Sequence, residues 1–148
     1  MKRLTWRAGG ALIAAFLLMA GPVLAAMDPA DAPNKMVIQV NTDDPLTQKI
    51  ALNNAVNLQK SLGMDNVAVE VVAYGPGLSL LTQGGDQAAR VESLALQEIT
   101  FSACGNTMAK MEKKSGQRPQ LVEGVKVVPA GVRRIMELQQ QGYTYLRP

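Results

Sequence analysis

The sequence predicts an α/β domain built on a mainly parallel sheet of about five strands, with helices on both faces. Three observations predict it. Short apolar runs alternate with segments of helical periodicity from residue 35 to the end of the 148-residue chain. The runs are mostly apolar, as strands covered on both sides are. The helical segments also carry start and stop signals, so each strand is followed by a crossover of the kind that returns the chain in parallel. Right-handed crossovers place the strand carboxyl ends along one edge, where open parallel sheets hold their ligands.

Residues 1–25 read as a secretory signal peptide. Lys2, Arg3 and Arg7 precede the uncharged apolar run Ala11 to Ala20, and Gly21 and Pro22 break that run. Val23-Leu24-Ala25 then offers small residues for cleavage after Ala25. The run is too short for a permanent span, which takes about 20 apolar residues. No stable membrane anchor is expected after cleavage, and the protein is expected in the periplasm or otherwise exported. Residues 26–34, with two prolines among small and acidic residues, read as a flexible lead-in to the domain of residues 35–148.

The elements follow in order. Met36 to Val40 is a strand, and Asp43-Asp44-Pro45 opens a helix, with an aspartate cap and proline in the first turn. Leu46, Ile50, Ala51, Ala55, Leu58 and Leu62 recur at helical spacing and are expected to face the core, before Gly63 stops the helix. Val67 to Tyr74 is a second strand, ended by Gly75-Pro76-Gly77, with a short helical turn over Leu78 to Leu81. Gln87 to Gln97 is a helix with Val91, Leu94 and Ala95 inward, and Ile99 to Ala103 is a third strand ending at Cys104. Gly105-Asn106-Thr107 opens a helix to about Lys114, and Ser115 to Pro119 forms a polar loop. Lys126 to Val128 is a fourth strand, stopped by Pro129. Ala130 to Gln141 is a helix with Val132, Ile135 and Met136 inward, and Tyr143 to Leu146 a last strand after Gly142.

Composition narrows the chemistry. The chain has 15 basic and 12 acidic residues, a net of +3, but three of the basic residues and no acidic ones lie in residues 1–25. The remainder is therefore neutral, and its aromatics are only Tyr74, Phe101, Tyr143 and Tyr145. A nucleic-acid binder needs a basic face with aromatics for stacking, so nucleic acid is not an expected partner. There is no histidine, which removes the usual general base and the commonest zinc ligand. A conventional hydrolase or metalloenzyme is disfavoured, and no metal or cofactor is expected. The single cysteine excludes an internal disulfide.

The ligand edge of such a sheet collects Asn41 and Thr42, Tyr74 to Gly77, Cys104 to Thr107, and Pro129 to Gly131. Cys104 is its one natural nucleophile, and it stands where a strand turns into a helix start. Unpaired N–H groups there favour a thiolate. Gly105 lets the backbone turn sharply, and Asn106 or Thr107 can cap the helix or donate to an anion. A lone cysteine is more often a small buried apolar side chain, so a packed Cys104 stays open at this point. The other features read as structure. Asp43 and Asp44 suit helix capping, and Gly75-Pro76-Gly77 lacks dinucleotide-site spacing. Lys110, Lys113 and Lys114 suit a solvated helix end, Met108 and Met111 suit the core, and Arg133 and Arg134 suit a salt-bridged surface.

From Ala103-Cys104-Gly105-Asn106-Thr107 outward the chain resembles the DsrE/DsrF-like family, in particular its exported single-domain members. Val37 to Val40, Val69 to Gly77, Ile99 to Thr107, Val127 to Val132 and Leu138 to Tyr145 carry the resemblance. It implies a three-layer α/β/α fold, assembly as a homotrimer or hexamer, and a cysteine carrying sulfane sulfur as a persulfide. Cys104 would be that cysteine, with Gly105, Asn106, Thr107, Asn41, Gly75, Gly77 and Pro129 forming the binding edge. The chain departs from cytoplasmic carriers in its Gly-Asn-Thr after the cysteine and in its export signal. The leading expectation is a periplasmic sulfur-handling protein with an unidentified sulfur donor and acceptor. The rival is a non-catalytic small-anion or protein-binding module in which Cys104 is packed.

Overall fold

A computed structural model describes residues 31–148. The expected signal peptide and most of the lead-in lie outside the described residues. Ala32 is already buried, and the first strand begins at Asn34.

Five strands form one sheet. β1 (Asn34–Val40), β2 (Val67–Ala73), β3 (Thr100–Cys104), β4 (Lys126–Val128) and β5 (Thr144–Leu146) lie in the order β4-β3-β2-β1-β5. Every neighbouring pair is parallel. Between them run α1 (Pro45–Leu62), α2 (Ala88–Ala95), α3 (Gly105–Ser115) and α4 (Gly131–Gln140). A 3-10 helix over Gly75–Leu81 takes in the Gly-Pro-Gly segment expected as a plain turn. Among the described residues no helix is long and apolar enough to cross a membrane.

Handedness distributes the helices. The first three crossovers step the same way across the sheet, so right-handed connections lay α1, α2 and α3 on one face. The last crossover runs back past β1 to reach β5, which puts α4 on the other face. The first face holds the main core. Ile38, Val40, Val71 and Phe101 from the strands meet Leu52, Leu78, Val91, Leu94 and Met108 from the helices. The second face has a small apolar cluster, Val37, Val72, Ile135 and Leu138, beside the buried polar side chains Gln39, Glu70 and Ser102.

Helix rotation departs from the expected pattern twice. On α1 the side chains that face the sheet are Gln48, Ala51, Leu52, Ala55 and Gln59, whereas Leu46 is 65% exposed and Ile50 and Leu62 are also exposed. Two alanines let this helix lie close to the strands, and two glutamines fix its ends. Gln48 Nε2 donates to Thr42 O at 3.0 Å and Ser79 Oγ at 2.8 Å, and Gln59 Nε2 donates to Gln97 O at 2.7 Å. On α4, Val132 (63% exposed) and Met136 (53%) point outward instead of inward. The buried residues are their neighbours Gly131, Ile135 and Leu138. This helix is rotated by one residue because glycine allows close approach and Arg134 reaches a partner on the sheet. Met111, expected in the core, is exposed, and Ala95 is only partly buried.

Helix capping accounts for Asp44. Its Oδ2 accepts from the Thr47 N–H and from Thr47 Oγ1, each at 2.7 Å. These hydrogen bonds hold its carboxyl below the ordinary range.

Candidate functional site around Cys104

Cys104 is the last residue of β3 and stands at the cap position of α3. Its neighbour across the ladder is Val128, the last residue of β4. From these adjacent ends α3 departs toward one face and α4 toward the other. A topological switch point of this kind opens a crevice at the carboxyl edge of a parallel sheet. The amino-terminal turns of both helices border it, and their N–H groups have no partners within the helix.

Glycines bring the parts together. A side chain on Gly131 would come within 3.1 Å of Tyr74 and 3.4 Å of Cys104 Cβ, so its absence lets α4 start directly beside the cysteine. Gly105 similarly lets α3 start against the end of β4, where a side chain would meet Val128 O at 3.1 Å. The Asn106 N–H donates to Pro129 O at 3.2 Å across the same junction. Gly75 has φ +56°, and its N–H donates to Thr107 Oγ1 at 3.0 Å.

That last bond orients a proton. With a lone pair of Thr107 Oγ1 engaged by Gly75, the hydroxyl hydrogen is free to turn to the Cys104 sulfur. Cys104 is 5% exposed, and burial pushes its thiol up. Hydrogen bonding from the Thr107 hydroxyl and from the N–H groups of Gly131, Thr107 and Asn106, the last shared with Pro129 O, outweighs this, so the thiol titrates below its ordinary value. All four donors are formally neutral. The arrangement favours an anionic sulfur through local dipoles.

Six of the eight singled-out positions come together here: Cys104, Gly105, Asn106, Thr107, Gly75 and Pro129. Asn41 and Gly77 do not join them. They pack on each other at the β1–β2 end, where a side chain on Gly77 would overlap the Val40 carbonyl. Gly77 therefore serves the packing of the Gly75 loop, and Asn41 lies two strands from the sulfur. Gly131 also borders the sulfur, and a glycine opening a helix gives no chemical signal in the sequence. The expected salt-bridged surface holds for Arg133, which pairs with Glu137 at 2.7 Å. Arg134 instead binds Glu70, a buried carboxylate in the middle of an apolar strand. That lone charge in VAVEVVAY was the available sign of it.

A cavity of about 230 Å³ lies near the start of α1, lined by Asp43, Gln48, Ser79 and Asp86 among others. A shallower one of about 470 Å³ lies between α1 and β5. Cys104 borders neither. Among the described residues no group of three or more acidic or cysteine side chains is placed to hold a metal ion.

Residues 34–148 match the DsrE/DsrF-like family. The chain is similar to a protein of unknown function, MTH1491 from Methanobacterium thermoautotrophicum, at 32% identity and a TM-score of 0.70. That match covers 78% of this chain and 99% of the other. It also shares its fold with the ychN protein of E. coli, at 16% identity and a TM-score of 0.55, over 77% of this chain and 96% of that one. No curated protein matches the chain.

Proposed function

The chain belongs to the DsrE/DsrF-like family, which is associated with sulfur relay, and we propose that its part in such chemistry is to carry sulfane sulfur on Cys104. One observation carries this reading: the only cysteine lies between the starts of α3 and α4, which Gly105 and Gly131 bring close against it. In the loading step the Cys104 thiolate attacks the outer sulfur of a persulfide or polysulfide. A new S–S bond forms, the old one breaks, and the electron pair leaves with the donor thiolate. Release is the reverse exchange, in which an acceptor thiolate attacks the outer sulfur and Cys104 departs as thiolate. No oxidant, metal or histidine is needed.

Mass spectrometry of the purified protein after polysulfide treatment tests the proposal. The expected result is one added sulfur on Cys104, removed by dithiothreitol and absent in Cys104→Ser. No addition, or equal addition to the serine variant, overturns it.

The near-complete burial of Cys104 favours a second reading, a non-catalytic module for a small anion or a protein segment. Iodoacetamide at mildly acidic pH separates the two. A carrier thiol reacts readily, and a merely packed one stays silent. Export to the periplasm and homotrimeric or hexameric assembly belong to the same proposal. The mature amino terminus and the sedimenting mass test them.

A further inference from the structure

The α4 face of the sheet contains a polar cluster that the sulfur exchange does not itself use. Glu70, on β2, is 3% exposed, and its carboxylate takes three hydrogen bonds. Ser102 Oγ on β3 donates to Oε1 at 2.6 Å. Arg134 on α4 donates from Nε to Oε1 at 2.8 Å and from Nη2 to Oε2 at 2.7 Å, a two-pronged pair. Two strands and a helix therefore meet on one carboxylate. Buried pairs of this kind contribute little net stability, because desolvation offsets the attraction. What they fix is position.

Both ends of the cluster lead to the thiol. Ser102 precedes Cys104 by two residues and shares its face of β3. Arg134 follows Gly131 by three residues, one turn along α4. The donors of Asn106 and Thr107 follow Cys104 in the chain and need no long-range contact to reach it. Gly131 arrives from a different strand, on a helix whose apolar contact is the small cluster of Ile135 and Leu138 with Val37 and Val72. Its distance from the sulfur depends on what holds that first turn down.

We propose that Glu70 and Arg134 are positioning residues of the thiol site, clamping the first turn of α4 to the sheet so that the Gly131 N–H meets the Cys104 sulfur. The use of this clamp rests on the carrier reading, but its test does not. Other titratable side chains on the elements around the thiol are Tyr74, Lys126 on β4, Lys110, Glu112, Lys113 and Lys114 on α3, and Arg133 and Glu137 on α4. Arg133 and Glu137 pair with each other, and Tyr74 packs against Gly131.

The experiment measures the rate of Cys104 alkylation by iodoacetamide as a function of pH. Three proteins are compared with the wild type: Arg134→Lys, the double variant Glu70→Gln with Arg134→Met, and Leu94→Ala on the opposite face. The double variant leaves no unpaired buried charge. Losing the Gly131 donor should raise the thiol pKa by about one unit and slow alkylation near neutrality by up to about tenfold. Arg134→Lys keeps the charge and loses the fork, so an intermediate shift is expected, and it decides the matter if the double variant does not fold. Leu94→Ala should lower the melting temperature and leave the pH profile unchanged. An unmoved profile in the clamp variants, or an equal shift in Leu94→Ala, overturns the proposal. A wild type that takes up no sulfur while its clamp variants shift removes the carrier reading alone.

Discussion

The two faces of the sheet differ in what they bury. One is covered by three helices and a 3-10 segment over an extensive apolar core. The other is crossed by one helix, which shares its contact between four buried apolar residues and a set of hydrogen-bonded polar ones. Strand residues of alternating direction serve both. Phe101 and Ala103 belong to the first face, and Ser102 and Cys104 to the second. The same five-residue strand thus supplies packing on one side and chemistry on the other, and this lesson can be tested by disturbing each side separately.

The largest effect is expected on the thick face. Phe101→Ala removes a fully buried ring and should cost about 3–5 kcal/mol, whereas Leu138→Ala on the thin face should fall near 2 kcal/mol. Urea unfolding measures both, and equal losses would dissolve the contrast. Gly77→Ala comes next, at about 1–3 kcal/mol, because the added methyl has to displace the Val40 backbone. Thr107→Val should leave stability less affected and raise the thiol pKa by about one unit through loss of its hydroxyl donor, with Thr107→Ser retaining the wild-type profile.

A pH effect sharpens the comparison further. The Cys104 thiol is depressed in the folded protein, so its contribution is fully present above the unfolded thiol pKa and is lost as pH falls through the folded one. Wild-type stability should rise with pH across that window relative to Cys104→Ser, as urea midpoints will report. The smallest effect is predicted for the outward residues of α4. Val132→Ser and Met136→Gln should each change stability by no more than about 0.5 kcal/mol, in contrast to their buried neighbour Ile135.

Much of this was legible in the chain. Alternating strand and helix signals place all five strands within two residues of their observed bounds, and the strand end carrying Cys104 lies where those signals put it. The rotation of α1 and α4 was not. Hydrophobic spacing favoured Leu46, Val132 and Met136, but amide anchors, alanines and a glycine contact decided which side met the sheet. Polar tethers of this kind act between residues 64 apart, as in Glu70 and Arg134, and have no local periodicity. Its place after Cys104 marks Thr107 as a cap or anion donor in the sequence. Its alignment by Gly75 required the left-handed turn that only the folded loop displays.

Three of the four donors around the sulfur belong to peptide groups rather than side chains. Ordinary substitutions at 106 and 107 leave their N–H groups in place, whereas a side chain at 131 would crowd Tyr74 and Cys104 and move the third. Only proline, or a shift in the path of the main chain, removes such a donor. The chemical character of this place is thereby written largely into chain geometry, and it persists only while the residues that set that geometry, Gly105 and Gly131 among them, are kept.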